Sequence, residues 1–334
     1  MFNAFSAFNA VLNTFGALIQ SDHGRGLLYI MIVLPALLAL MAILIPARLM
    51  KVRITVFLST LILNLAGALG VIGSDGLRFT LPWAGFGIDI SLRIYDFSAF
   101  IIICIAAAAL LAGIYSTVFF KDKSLAAKDK SLTAKDKSLA AKDRINDGRS
   151  FFFFYLLTVA LANGAVLANN LVIMLFFWEG LLITLFAMIL TGGKRDTAAS
   201  MKALVLCGAS DLLLMLGIAV TFILGGTFEM DALRPAAIEG LGMLGFACMA
   251  LGALGKAGAM PFHSWIPDAA KSAPVPFMAF LPGALEKLLG IYLLVRVTTD
   301  FYALMPGSMP STVLMSIGAV TIIFAVAMAL IQKI

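Results

Sequence analysis

A chain of 334 residues that is 62% hydrophobic and only 13% charged, with a mean hydropathy of +1.03, is too apolar to be a water-soluble domain of that size. Its solvent is lipid. The formal net charge of +6 does not point to nucleic acid, because 9 of the 24 Lys and Arg residues fall in the single stretch 121–149, between hydrophobic runs. Cys104, Cys207 and Cys248 each sit inside an apolar run without paired spacing, so neither a disulfide framework nor a metal knuckle is supported.

The N-terminal stretch lacks a basic start, a compact apolar core and a small-residue cleavage site, so the first span is expected to act as its own insertion signal. A bilayer core takes roughly 20 apolar residues per helix. Runs of that length predict nine spans, near 27–46, 54–73, 97–120, 150–168, 171–191, 201–224, 241–260, 276–297 and 311–332. The predicted fold is all-α and polytopic. Loop 47–53 carries Arg48, Lys51 and Arg53 with no acid, 121–149 is strongly basic, and 192–200 sets Lys194 and Arg195 against Asp196. The stretches 74–96 and 225–240 are neutral or acidic, the latter through Glu229, Asp231 and Glu239 against Arg234. Basic loops stay cytoplasmic, so the N-terminus is expected outside and the C-terminus inside. In 74–96, Leu81-Pro82-Trp83 and the alternation Ile88-Asp89-Ile90-Ser91-Leu92 predict a short β-hairpin on the outer surface.

The segment 121–144 repeats KDKSLAA, KDKSLTA, KDKSLAA, so that Leu125, Leu132 and Leu139 recur once per heptad. One apolar position per heptad is too little for a coiled-coil seam. The segment reads either as a helix resting on anionic lipid or a partner, or, more blandly, as a tandem duplication that stays solvated and fixes topology.

Ionisable side chains stand where lipid should forbid them. Glu179 and Asp211 lie about 12 and 15 Å into the fifth and sixth spans, Lys256 lies in the seventh, and Glu286 with Lys287 lies near mid-depth in the eighth. Each such charge costs ~2.5 to 3.5 kcal/mol to insert, which makes it a functional hypothesis by default. One Glu and one Lys make a structural salt bridge; five groups in one layer add desolvation cost without adding helix contacts, and suit a lateral chain of proton carriers. Lys202 sits at the inner end of the sixth span, where it either snorkels as an anchor or takes up protons. In the seventh span Gly255, Gly258, Pro261 and Pro267 surround Lys256 and predict a helix that breaks inside the membrane. Such breaks are tolerated where protein or water satisfies the freed carbonyls, and they recur at ion sites of transporters. His263, just past the break, is either a proton relay near neutral pH or a satisfied structural residue.

Three stretches then carry a resemblance: Asn169-Asn170-Leu171 to Trp178-Glu179, Met201-Lys202-Ala203 through Gly208 to Asp211, and the run from Gly255 to Arg296 containing Met260-Pro261-Phe262-His263-Ser264-Trp265-Ile266-Pro267-Asp268 and Phe277-Met278-Ala279-Phe280-Leu281-Pro282. The chain resembles the antiporter-like membrane subunits of complex I, of multisubunit sodium/proton antiporters and of energy-converting NiFe hydrogenases, and its wording is most similar to the hydrogenase and formate hydrogenlyase branch. The resemblance implies two inverted five-helix repeats, with Glu179 and Lys256 as the ion pair of the first half-channel and Lys287 as the carrier passing charge sideways. Lys287 stands five residues before Tyr292 where the family pattern has four, so Glu286 shares or replaces its role in this reading. The implied organisation is 1–120 as a three-helix segment with the hairpin, 121–149 as an insertion, 150–297 as the first half-channel and 298–334 as the start of a second repeat. The family pattern continues past Ile334, so a longer protein or a partner chain is expected to supply the rest.

The function implied is a proton or sodium translocating subunit of a redox-driven complex in a prokaryotic plasma membrane, not an enzyme by itself. No glycine-rich nucleotide fingerprint, cysteine cluster or metal-spaced histidine pair occurs. A NiFe centre and Fe–S clusters are expected in partner subunits, alongside other hydrophobic membrane subunits. The alternatives are a subunit of NADH-quinone oxidoreductase or of a sodium/proton antiporter, a stand-alone carrier of an organic solute, and a structural subunit whose channel is dead.

Overall fold

The computed structural model describes residues 24–46, 49–72, 76–83, 88–126, 134–191 and 197–331. Helices α1 (Gly24–Leu44) and α2 (Met50–Gly70) lead into the strands β1 (Arg78–Pro82) and β2 (Asp89–Arg93). Long helices follow: α3 (Asp96–Ala126), α4 (Ala134–Leu167), α5 (Leu171–Leu190), α6 (Thr197–Gly225) and α7 (Leu241–Ala257). A 3-10 turn, Phe262–Trp265, joins α7 to the short α8 (Ile266–Ser272). Next, α9 (Val275–Phe280) passes through a π-helical segment, Leu281–Leu285, into α10 (Glu286–Arg296), and after a second π segment, Val297–Phe301, comes α11 (Met309–Ile331).

Among the described residues eight stretches are long and apolar enough to cross a membrane, α7 with α8 and α9 with α10 each counting as one, and the shorter apolar stretch Ile30–Leu44 precedes them. Each of the nine predicted apolar runs thus contains a helix among the described residues, and the protein is a multi-span membrane protein. The predicted hairpin is present, with Thr80 opposite Ser91 in an antiparallel pair. Helix α3 continues to Ala126 and α4 starts at Ala134, so residues of the heptad repeat prolong two helices. Residues 127–133 of that repeat, and Arg48, Lys194, Arg195 and Asp196 of the basic loops, lie outside the described residues.

Lipid leaves the backbone no water to bond with, so each interruption of a helix needs a partner. Pro35 in the middle of α1 cannot donate to the carbonyl of Met31 four residues earlier. Asn163 of α4 supplies the missing donor: its Nδ2 reaches Met31 O at 2.9 Å and Asn64 Oδ1 of α2 at 2.7 Å. One buried amide therefore ties three helices together. Tyr155 does similar work between α4 and α3, donating to Ala109 O at 2.7 Å while its ring stacks on Phe280 at 4.0 Å.

Close backbone approach positions α7. A Cβ on Gly252 would collide with Leu214 and the Ser210 carbonyl of α6, and one on Gly290 would collide with the backbone of Ala253 and Ala257. Small residues let helices in lipid pack this tightly, and here they press the helix carrying Lys256 between α6 and α10.

At one end of the bundle, hereafter the hairpin end, β2 meets the α4–α5 corner, where Asn169 N–H donates to Ser91 O at 2.8 Å. The Asn170 side chain caps α5, accepting from Val172 N–H at 2.9 Å, and donates to Glu229 at 2.8 Å. Asn169 reaches Glu229 and Asp231, each at 2.9 Å, and Arg78 of β1 pairs with Asp231. Helix α11 buries none of its residues fully and touches the bundle through Thr321, whose Oγ1 accepts from Met260 N–H at 3.2 Å.

Replacing Asn163 with Leu should cost about 1 kcal/mol of stability, in line with interhelical hydrogen bonds in membranes, read by thermal unfolding in detergent. The cost should shrink in a Pro35→Ala background, where residue 35 regains its own donor for Met31. Gly252→Val should push α6 and α7 apart and cost about 1 to 3 kcal/mol by the same measurement.

Candidate functional site

The centre of the site is the last turn of α7. That helix stops because Gly258 turns left-handed, with φ of 70°, which a residue bearing a Cβ rarely adopts. Gly258 N–H donates to Gly255 O at 3.1 Å and Ala259 N–H to Leu254 O at 3.0 Å, the two bonds of a Schellman ending. Pro261 precedes the 3-10 turn, and Pro267 occupies the first turn of α8, where a missing N–H is harmless. Gly258 ends the helix, Pro261 and Pro267 stand in the segments that follow, and Gly255 lies one turn earlier inside α7, where its missing Cβ makes room for Ser210. Lys256 sits in the final turn, where the negative end of the helix dipole favours an ammonium.

The Lys256 ammonium is 3.9 Å from Asp211 Oδ2, with side-chain exposures of 2% and 1%. It donates to Trp178 O at 3.5 Å and lies 5.1 Å from the centre of the Trp178 ring. Trp178 Nε1 in turn donates to Asp211 Oδ1 at 2.9 Å, leaving Asp211 Oδ2 without a hydrogen-bond partner among the described residues. A buried pair that served only stability would close its gap and satisfy every oxygen. Ion pairs elsewhere are tighter: Arg296 to Asp300 and Lys202 to Asp268 are each 2.6 Å, with one or both partners exposed.

The carboxylate within ion-pair distance of Lys256 is thus Asp211, where the resemblance implied Glu179. Glu179 is half-buried and interacts electrostatically with both Asp211 and Lys256 at longer range. The reason is angular: one residue is about 100° around a helix, and Trp178 takes the position facing α6 and α7.

Glu286 and Lys287 part company. Glu286 is 5% exposed and lies within electrostatic reach of Lys256, Asp211 and Lys287. Lys287 is exposed on its own chain and donates to Ala257 O, at the end of broken α7, over 3.4 Å. The π segment sets this rotation. Pro282 offers no donor to Met278 O, and the helix widens until Glu286 N–H bonds Leu281 O five residues back.

Lys202 pairs with Asp268 at 2.6 Å and Lys271 approaches the same carboxylate at 3.5 Å, all partly exposed beyond the break. His263 is half-buried in the 3-10 turn, and its Nδ1 has no partner among the described residues. The structure therefore gathers Glu179, Asp211, Lys256, Glu286 and Lys287 around the break and puts Lys202 in a separate, water-facing group with Asp268. Among the described residues no three His, Cys, Asp or Glu side chains converge as metal ligands.

Two features escaped the sequence reading. Trp178 is the link between Lys256 and Asp211, although it was visible only as an aromatic in an apolar run. At the hairpin end, Arg296 is 4% exposed, donates to Tyr292 Oη at 3.0 Å and lies 5.0 Å from the Tyr95 ring centre. An arginine inside the predicted run 276–297 was the available signal.

Residues 168–333 match the family described as NADH:quinone oxidoreductase/Mrp antiporter, transmembrane. The chain is 31% identical over 194 residues to NADH-quinone oxidoreductase subunit L of Campylobacter jejuni, a match covering 56% of this chain and 32% of that protein. It is 26% identical over 253 residues to a probable K(+)/H(+) antiporter protein of Rhizobium meliloti, covering 73% of this chain and 22% of that one. The chain thus spans about a third or less of these curated relatives. Its fold matches a chain of the Mrp complex from Dietzia sp. with a TM-score of 0.65 at 20% identity, over 83% of this chain and 49% of that chain. Residues 168–333 therefore belong to the NADH:quinone oxidoreductase/Mrp antiporter transmembrane family.

Proposed function

We propose that this chain is the ion-translocating, antiporter-like membrane component of a multisubunit complex of the NADH-quinone oxidoreductase or Mrp antiporter type, and that Lys256 carries the proton. The observation behind this reading is the loose, buried pair: an ammonium at 2% exposure held 3.9 Å from a carboxylate whose nearer oxygen has no hydrogen bond among the described residues. A buried ammonium keeps its proton only while a negative charge stands near it. Asp211 holds that charge in the state described, and Glu179 and Glu286 are the neighbouring acids whose protonation or displacement changes the balance. When the balance tips, the proton passes from Lys256 toward Glu286, and Lys287 against Ala257 O is the next cation along.

The relatives named above favour an oxidoreductase or antiporter assembly over the NiFe hydrogenase or formate hydrogenlyase branch that the wording around Pro261 and Pro282 suggested. In this proposal Lys202, Asp268 and His263 form the water-facing approach, and the basic loops face the cytoplasm. Redox centres, where the complex has them, belong to partner subunits.

In the assembled complex reconstituted in liposomes, Asp211→Asn and Lys256→Met should each reduce driven ion translocation to below about a tenth of wild type, a barrier increase of at least ~1.4 kcal/mol. Glu179→Gln should reduce it by a smaller factor, about threefold, because it acts at longer range. Undiminished translocation in the first two variants would support a scaffold role and reject the assignment.

A further inference from the structure

The hairpin end of the half-channel carries a cluster that the translocation pathway does not use. Tyr95, between β2 and α3, is flanked by two guanidiniums: Arg93 at 5.5 Å and Arg296 at 5.0 Å from its ring centre. Arg296 is also 5.3 Å from the Phe301 ring and bonds Asp300 Oδ2 at 2.6 Å. Guanidinium does not give up its proton under physiological conditions. Two permanent positive charges thus flank one ring, and Asp300, 40% exposed, pairs with Arg296. Arg93 Nε is buried without a hydrogen-bond partner among the described residues.

The hydroxyls between them are saturated. Tyr95 OH donates to Tyr292 Oη at 3.2 Å, Arg296 donates to the same oxygen at 3.0 Å, and Tyr292 OH donates to Val166 O at 2.9 Å. This chain ends on a backbone carbonyl, which holds no proton to pass on. Burial, reinforced by Tyr292, keeps the Tyr95 phenol protonated well above the usual tyrosine range despite the pull of Arg296. Tyr95 therefore cancels neither positive charge. Arg296 lies ten residues beyond Glu286 on the same helix, about 15 Å along its axis, and is likewise buried, so a cation moving along the buried side of α10 toward the hairpin end approaches a fixed positive charge.

We propose that Arg296 and Arg93, clasping Tyr95, form a fixed-charge seal that closes the hairpin end of the half-channel to protons and sodium ions. A buried arginine excludes cations from membrane pores by the same repulsion. The inference rests on the reading that the Lys256 group conducts. It adds that this group exchanges protons with water at the Lys202–Asp268 end and not at the hairpin end.

The test uses the assembled complex in liposomes loaded with a pH dye, under a potassium diffusion potential set with valinomycin and without redox substrate. Arg296→Gln should raise passive proton leak about tenfold, and Arg296→Lys, which keeps the charge, should leave it near wild type. Arg93→Gln, at a less buried position, should raise the leak about threefold and serves the test if Arg296→Gln fails to assemble. Adding Asp211→Asn to Arg296→Gln should return the leak to the wild-type level, because the leak runs through the Lys256 group. An unchanged leak in the assembled arginine variants overturns the seal. So does a leak that survives Asp211→Asn or releases an entrapped neutral dye, since a packing defect then accounts for it. Driven translocation by Asp211→Asn alone is measured in parallel. If that variant is inactive while the arginine variants stay tight, only the seal fails; if it remains active, the Lys256 reading fails as well.

Discussion

An ammonium with almost no contact with water governs this structure. Lys256 is held 3.9 Å from Asp211, and removing two such charges from water costs several kcal/mol per ion before their attraction is counted. Three separate devices sustain the arrangement. Gly258 ends α7 immediately beyond the lysine, glycines at 252 and 290 bring the flanking backbones to contact distance, and the Trp178 indole fixes one oxygen of the acid. Each device is local in sequence, and each acts on the same pair. Their combined effect is to place the charge accurately while leaving the pair slack, a combination that suits a group whose protonation state changes and does not suit a rivet.

The two ends of the conducting bundle differ in kind. Past the break, Lys202, Asp268 and Lys271 pair with one another at solvent-exposed positions. At the hairpin end the polar atoms are tied to one another: Asn169 and Asn170 to Glu229 and Asp231, and Tyr95 and Tyr292 to a carbonyl. A hydroxyl chain that ends on a backbone carbonyl offers a moving proton no onward step. The two ends thus differ in chemistry, one solvent-exposed and ionic, the other internally bonded.

Much of this was legible in the residues alone. Run length gave the spans, because lipid thickness fixes how many apolar residues a helix needs. The glycines and prolines around Lys256 gave the break, because backbone conformation at those residue types is strongly constrained. Depth was legible too, at 1.5 Å per residue, which is why Glu179, Asp211, Lys256 and Glu286 were placed in one layer. Azimuth was not. Glu179 and Trp178 differ by one position but by about 100°, so the choice of Asp211 over Glu179 as the near carboxylate depends on how α5 is rotated against α6 and α7. Nor could the Tyr95–Tyr292 contact be read, since 197 residues separate its partners and nothing in either segment names the other.

The π segment at Leu281–Leu285 is, in effect, a gear tooth. A helix that bonds five residues back holds one residue more than an α-helix of the same span, and taking up that residue would swing everything downstream by about 100°. Glu286 and Lys287 are separated by that same angle. The widened turn, where Pro282 prevents the ordinary α pairing, therefore decides which of the two neighbours faces the core, and it presents the acid there and leaves the base outside.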